Sequence, residues 1–111
     1  MINKIIDEAL IAHKFTIEHA SELTRFYKRE SDSAIRFAIL HKLDKLSSPA
    51  ELNAAINQSA PDSFLSHPSF KKNCDLICIH HLNKLAEFKN HEEQIFAIEE
   101  DPHFFKKYIL Y

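Results

Sequence analysis

The 111-residue sequence contains no glycine. Two-residue hairpins of the Asn-Gly or Asp-Gly kind need backbone at positive φ, so strand-rich folds become a poor expectation. The Gly-dependent motifs are excluded with them: the phosphate-binding loop, the dinucleotide fingerprint and the Gly-x-Ser-x-Gly nucleophile turn. Helix stops must use Asn, Ser or one of the four prolines. Tryptophan is also absent, which leaves nine phenylalanines as the main large core fillers. No apolar run approaches the length of a membrane span. After "MINK" the only compact apolar stretch is "ALIA", too short for the core of a secretory leader. The expected location is the cytoplasm, with leaderless export left open.

Cysteine is scarce. Cys74 and Cys78 are the only two, and on a helix they would share a face without disulfide geometry. They read as reduced core residues, with no disulfide, in a reducing compartment. Excess positive charge is lacking too. The net charge is −2 and the sequence pI about 6.4, which argues against nucleic acid as a partner. Apolar residues at 45% and charged residues at 27% give an ordinary globular balance, and the length suits one domain spanning 1–111.

What is present is apolar spacing that reads as helical. In "INKIIDEALIAHKF", Ile2, Ile5, Ile6, Ala9, Leu10 and His13 share a face, and the pattern continues to Phe26. This predicts one long helix, or two with a bend near residues 14–16. "ESDSAIRFAILHKLDKLSS" predicts a helix capped by Ser31 or Asp32, with a stripe wide enough to imply burial on more than one side. "SPAELNAAINQ" carries Ser48 as N-cap, Pro49 at the first helical position and Glu51 closing a capping box. "SAPDSFLSHPSF" is a long connection pinned by Phe64, Leu65 and Phe70. "FKKNCDLICIHHLNKLAEFKN" predicts a second broad-striped helix, separated at Asn90 from a helix in "HEEQIFAIEE". "DPHFFKKYILY" predicts a short closing helix with an Asp cap.

Two segments resemble each other. "ILHKLDKL" (39–46) and "CIHHLNKL" (78–85) match at His41/His80, Leu43/Leu82, Lys45/Lys84 and Leu46/Leu85. The next helices align as well, through Glu51/Glu93, Ala55/Ala97 and Ile56/Ile98, and "HPSFKK" resembles "PHFFKK" further on. A period near 40 suits a helix-pair repeat. The expected fold is therefore all-α: a compact stack of about six to seven helices in α-solenoid-like pairs.

Candidate chemistry is sparse. Cys74, Cys78 and His81 would line one helix face as soft metal ligands, with His80 adjacent. The repeat instead aligns the cysteines with Ile35 and Ile39, which are packing positions, so no metal and no cofactor is expected. Glu100-Asp101-Pro102-His103 has the Glu-x-x-His spacing of a di-iron bundle, but Asp-Pro breaks it. A pairing of Cys78 with His81 or His19 as nucleophile and base has no other support.

The function expected from these residues is non-enzymatic. The chain reads as a protein-binding module, an adaptor, regulator or inhibitor of a larger protein. Its Lys-, Ile-, Asn- and Phe-rich composition suggests an AT-rich bacterial or viral genome, and with it a secreted effector or the inhibitor of one. The expected contact is a His/Lys stripe of Arg36, His41, Lys45, His80 and Lys84, or the 60–70 connection with Phe64 and His67. The alternative is a metal-binding protein or enzyme using Cys74, Cys78 and His81.

Overall fold

A computed structural model describes residues 2–32, 34–43, 48–80, 85–102 and 105–110, with only the backbone described at 2–3 and 85–91. The described elements run α1 (Ile2–Ala12), β1 (Thr16–Ala20), β2 (Thr24–Glu30), β3 (Ile35–Lys42), α2 (Pro49–Ser59), α3 (Asp62–Leu65), β4 (Cys74–Ile79), α4 (Leu85–Glu99) and β5 (Lys106–Leu110). The strands form one five-stranded sheet in the order β1-β2-β3-β4-β5. β1, β2 and β3 pair antiparallel, whereas β3, β4 and β5 pair parallel.

This overturns the all-α expectation and the helical repeat with it. The absence of glycine excluded less than it seemed to. The two hairpin connections span three and four residues, and serine closes both. Ser21 N donates to Thr24 O at 2.8 Å and its Oγ accepts from Thr24 N; Ser31 N donates to Ala34 O at 2.9 Å. A hydroxyl that bonds nearby backbone makes a turn without positive φ. The two parallel connections need crossovers, not tight turns, and helices supply them. Among the described residues only Lys14 has positive φ, at 73°, where α1 stops.

The broad apolar stripes have a different cause from the one predicted. β3 has buried side chains on both faces: Phe37 and Ile39 on one, Ala38 and Leu40 on the other. A strand covered on both sides reads as a near-continuous apolar run, which mimics a wide helical stripe. β4 repeats the pattern. The closing segment is a strand as well, with Phe105, Lys107 and Ile109 turned inward at period two. α2 forms with its predicted cap: Ser48 Oγ accepts from Glu51 N at 3.2 Å and Pro49 sits in the first turn. The helices expected at the start of the chain and in "HEEQIFAIEE" are also present, as α1 and the second half of α4.

One core lies between the sheet and α2, α3 and α4. Phe26, Phe37, Ile39, Leu76, Cys78 and Ile109 from the strands meet Leu52, Ile56, Phe64, Ile95 and Ile98 from the helices. Its centre is aromatic. Phe64 stands edge-on to Phe26, Phe37 and Phe70 at centroid distances of 5.8, 4.9 and 5.6 Å. On the opposite face α1 lays Ile6 and Leu10 over Tyr27, Ala38, Leu40 and Ile79. The Tyr27 hydroxyl donates to Asp7 of α1, and Arg25 pairs with the same carboxylate at 3.3 Å. These polar contacts pin the helix across the sheet.

The two similar segments are thus strand-then-helix units, not helix pairs. β3 and β4 also pair in a different alignment from the sequence match: Ile39 lies beside Leu76 and His41 beside Cys78.

Candidate protein-binding face

The two faces of the sheet are covered unequally. Three helices close the α2–α4 side. On the other side α1 lies over β2 and β3 and reaches Ile77 and Ile79 of β4. Beyond it, on β5, Tyr108 remains 39% exposed and Lys106 is exposed. Register places the strip in rows: Asp75 beside Lys106 and Ile77 beside Tyr108, with Leu110 beside Ile79, which is buried under α1.

A groove of about 370 Å³ runs between α1 and β4 and leads onto this strip. Ile6, Leu10 and Ile77 line it, and Arg29, Arg36 and Asp75 stand at one end. Arg36 Nη2 meets Asp75 Oδ2 at 3.4 Å, with the side chains 43% and 36% exposed. The Arg29 guanidinium lies 4.9 Å from the Phe15 ring and donates to His13 O at 3.3 Å. The Lys106 ammonium lies 5.7 Å from the Tyr108 ring. An apolar floor with a charged rim, and an exposed aromatic beside it on β5, is the anatomy of a protein interface.

Of the candidate contact residues that are described, only Arg36 belongs to this face. His41 is on β3 but turns to the other side, where its Nδ1 is 2.7 Å from Thr24 Oγ1. Phe64 is 1% exposed in the aromatic core and offers a partner no surface. His67 Nδ1 accepts from Ser69 N at 3.1 Å, and its ring packs on Phe37. His80 follows β4, its backbone N donating to Leu110 O at 2.9 Å. Lys45, Lys84 and His81 lie outside the described residues. The His/Lys stripe assumed helical spacing. On a strand, residues four apart share a face but stand roughly 13 Å from each other.

The same spacing bears on the metal-ligand reading. Cys74 and Cys78 both point into the core from β4, separated by Leu76, so they cannot share one ion. Burial pushes both thiols up, Cys78 to about 12. A thiol held protonated is neither a good ligand nor a nucleophile. His19, the other candidate base, is exposed on β1 beside Phe26.

The polar cluster that sequence reasoning missed lies on the helix-covered side. Lys107 Nζ pairs with Asp101 Oδ2 at 2.8 Å, and Asn53 Nδ2 donates to the same oxygen at 2.9 Å. Lys107 also donates to Phe105 O at 3.1 Å. Asp101 was expected to cap a helix; instead it neutralises a buried lysine. The signal available was the alternation of Phe105, Lys107 and Ile109, which places a lysine at an inward position.

Among the described residues no helix is long and apolar enough to cross a membrane. The family model for the ABC-three component (ABC-3C) system Middle Component 1 matches residues 34–111. The matched stretch holds β3 through β5 with the helices between them, while α1, β1 and β2 precede it. Comparison with curated proteins and with solved structures finds no match. By the extent of the family match, the chain belongs to the ABC-three component (ABC-3C) system Middle Component 1 family and is a component of a multi-protein system.

Proposed function

We propose that the chain is a non-enzymatic protein-binding component of its system, an adaptor or regulator, and that it meets its partner through the open half of the sheet. One observation carries this reading: the unequal cover of the two faces, which leaves Ile77 and Tyr108 beside an apolar groove. Exposed apolar surface rimmed by charge is the usual mark of a contact site.

A non-enzymatic role is supported by how the reactive groups are used. The two thiols are buried and held protonated. The Lys107–Asp101 pair is locked in the core. His67 is spent on a turn. The inhibitor and secreted-effector readings draw no support from the fold.

The test is co-elution. The purified chain is mixed with each of the other two components of its system and run on size-exclusion chromatography. A stable complex is expected with at least one of them. Failure to bind either component overturns the reading.

A further inference from the structure

We propose that the open half of the sheet seats a single amphipathic helix from another component, apolar toward Ile77, Tyr108 and Leu110 and acidic at the end that meets Arg36 and Lys106. This rests on the protein-binding reading above and names the element that would bind.

The first support is the architecture. All-parallel sheets occur almost only with both faces covered, and the parallel half of this mixed sheet is apolar in the same way. Here β3, β4 and β5 run parallel, and the α2–α4 side is closed. On the other side α1 covers only as far as β4, and Tyr108 on β5 is 39% exposed. With Ile79 buried under α1, the uncovered strip is β5 and the half-covered Ile77 row of β4, roughly 5–10 Å wide. That leaves room for one helix lying along β5 and over its outer edge. The five residues of β5 rise about 17 Å, the length of about 11 helical residues. One short helix beside α1 completes the layer.

The second support is the closed edge. A partner strand would need free backbone on the outer side of β5. There the Ile109 N–H already donates to Glu99 Oε2 at 3.4 Å. Glu99 blocks strand addition at that point and leaves the face as the route of approach.

The third support is charge. Arg36, Asp75 and Lys106 lie toward the amino ends of the parallel strands, with Arg29 on β2 beside Arg36. Three cations face one carboxylate. The Arg36–Asp75 contact at 3.4 Å is half exposed, so the guanidinium can take a second carboxylate from a partner. Lys106 over the Tyr108 ring joins an aromatic anchor to a charge.

The test replaces Tyr108 with a photo-crosslinking phenylalanine analogue in the full chain, mixed with each of the other two components of the system. Crosslinks are expected in one component, at residues three or four apart. Tyr108→Asp and Lys106→Glu are each expected to weaken that complex about tenfold or more. Leu65→Ser, at an exposed position on α3 across the sheet, leaves it unchanged. Thermal melts of the variants confirm folding, and Tyr108→Ser replaces Tyr108→Asp if the acidic variant unfolds. Crosslinks confined to a second copy of the chain, or at every second residue of the partner, overturn the helix seat. Wild-type affinity in a folded Tyr108 variant overturns it while leaving the protein-binding reading in place. Binding to neither component removes both.

Discussion

The Lys107 ammonium and the Asp101 carboxylate meet at 2.8 Å with side-chain exposures of 0% and 7%. They tie β5 to the turn after α4, and Asn53 carries the contact on to α2. Removing one member leaves the other charge buried without its counter-ion. Asp101→Ala is therefore expected to destabilise by about 3–5 kcal/mol. The double variant Asp101→Asn/Lys107→Met keeps an acceptor for Asn53 and removes both charges, so it should recover most of that loss. Urea denaturation midpoints of the three proteins check this.

Tyr27 sets an upper pH limit. Burial, reinforced by the hydrogen bond to Asp7, raises its phenol from 10.0 to about 12. A group raised on folding contributes stability that is complete below its unfolded value. That contribution is lost as pH rises through the folded value. Stability assigned to Tyr27 should therefore fall between pH 10 and 12. Tyr27→Phe cannot ionise, so its melting temperature should be lower at neutral pH but flatter across that window.

Cys74 and Cys78 act earlier on the same axis. Their thiols rise from 9.0 because burial disfavours the thiolate. The unfolded chain ionises them first, so stability begins to fall above pH 9 even in Tyr27→Phe. Thiol labelling of the native protein should follow the rate of opening rather than the reagent concentration. Both cysteines should label at once in denaturant.

Glu99 guards the outer edge of β5 through the Ile109 N–H. Glu99→Ala removes the acceptor and leaves an edge amide open to a second chain. Stability should change by about 1 kcal/mol or less, since the contact is long at 3.4 Å and its Glu99 partner is exposed. Self-association should rise with concentration in sedimentation experiments, where the parent chain shows less. Equal association of the two proteins would show that the carboxylate does not protect the edge.

Lys14 ends α1 at φ 73°, a region that costs a residue with a Cβ roughly 1 kcal/mol. Phe15 N donates back to Leu10 O at 3.0 Å, which is how the helix is closed. Lys14→Gly should raise stability by about 1 kcal/mol and increase the melting temperature. No change would place the strain elsewhere.

Some of this was legible locally. Ser48, Pro49 and Glu51 announced α2 because a cap needs only neighbours in sequence. The bend expected near residues 14–16 marks where α1 stops. Phe64 and Phe70 were expected to pin the 60–70 connection, and both are 1% exposed, whereas Leu65 is 44% exposed. Of the candidate contact residues, Arg36 reached the α1 side of the sheet because it alternates with Phe37 and Ile39, which enter the main core. His41 turned to the other side by strand parity, whereas Phe64 is buried because α3 packs it into the aromatic core.

The sequence by itself determined the local devices: the capped start of α2, the phenylalanines that fill the core and the lack of tight glycine turns. Each depends on a few adjacent residues. Tertiary structure alone decided that 35–42 and 74–79 are strands, since a run buried on both faces has no period to betray it. It also decided which charges meet. Lys107 and Asp101 are six residues apart yet belong to different elements, and Arg36 and Asp75 come together only through parallel register. The open face follows from the same source, because the uncovered strand is recognisable only once the covering helices are placed.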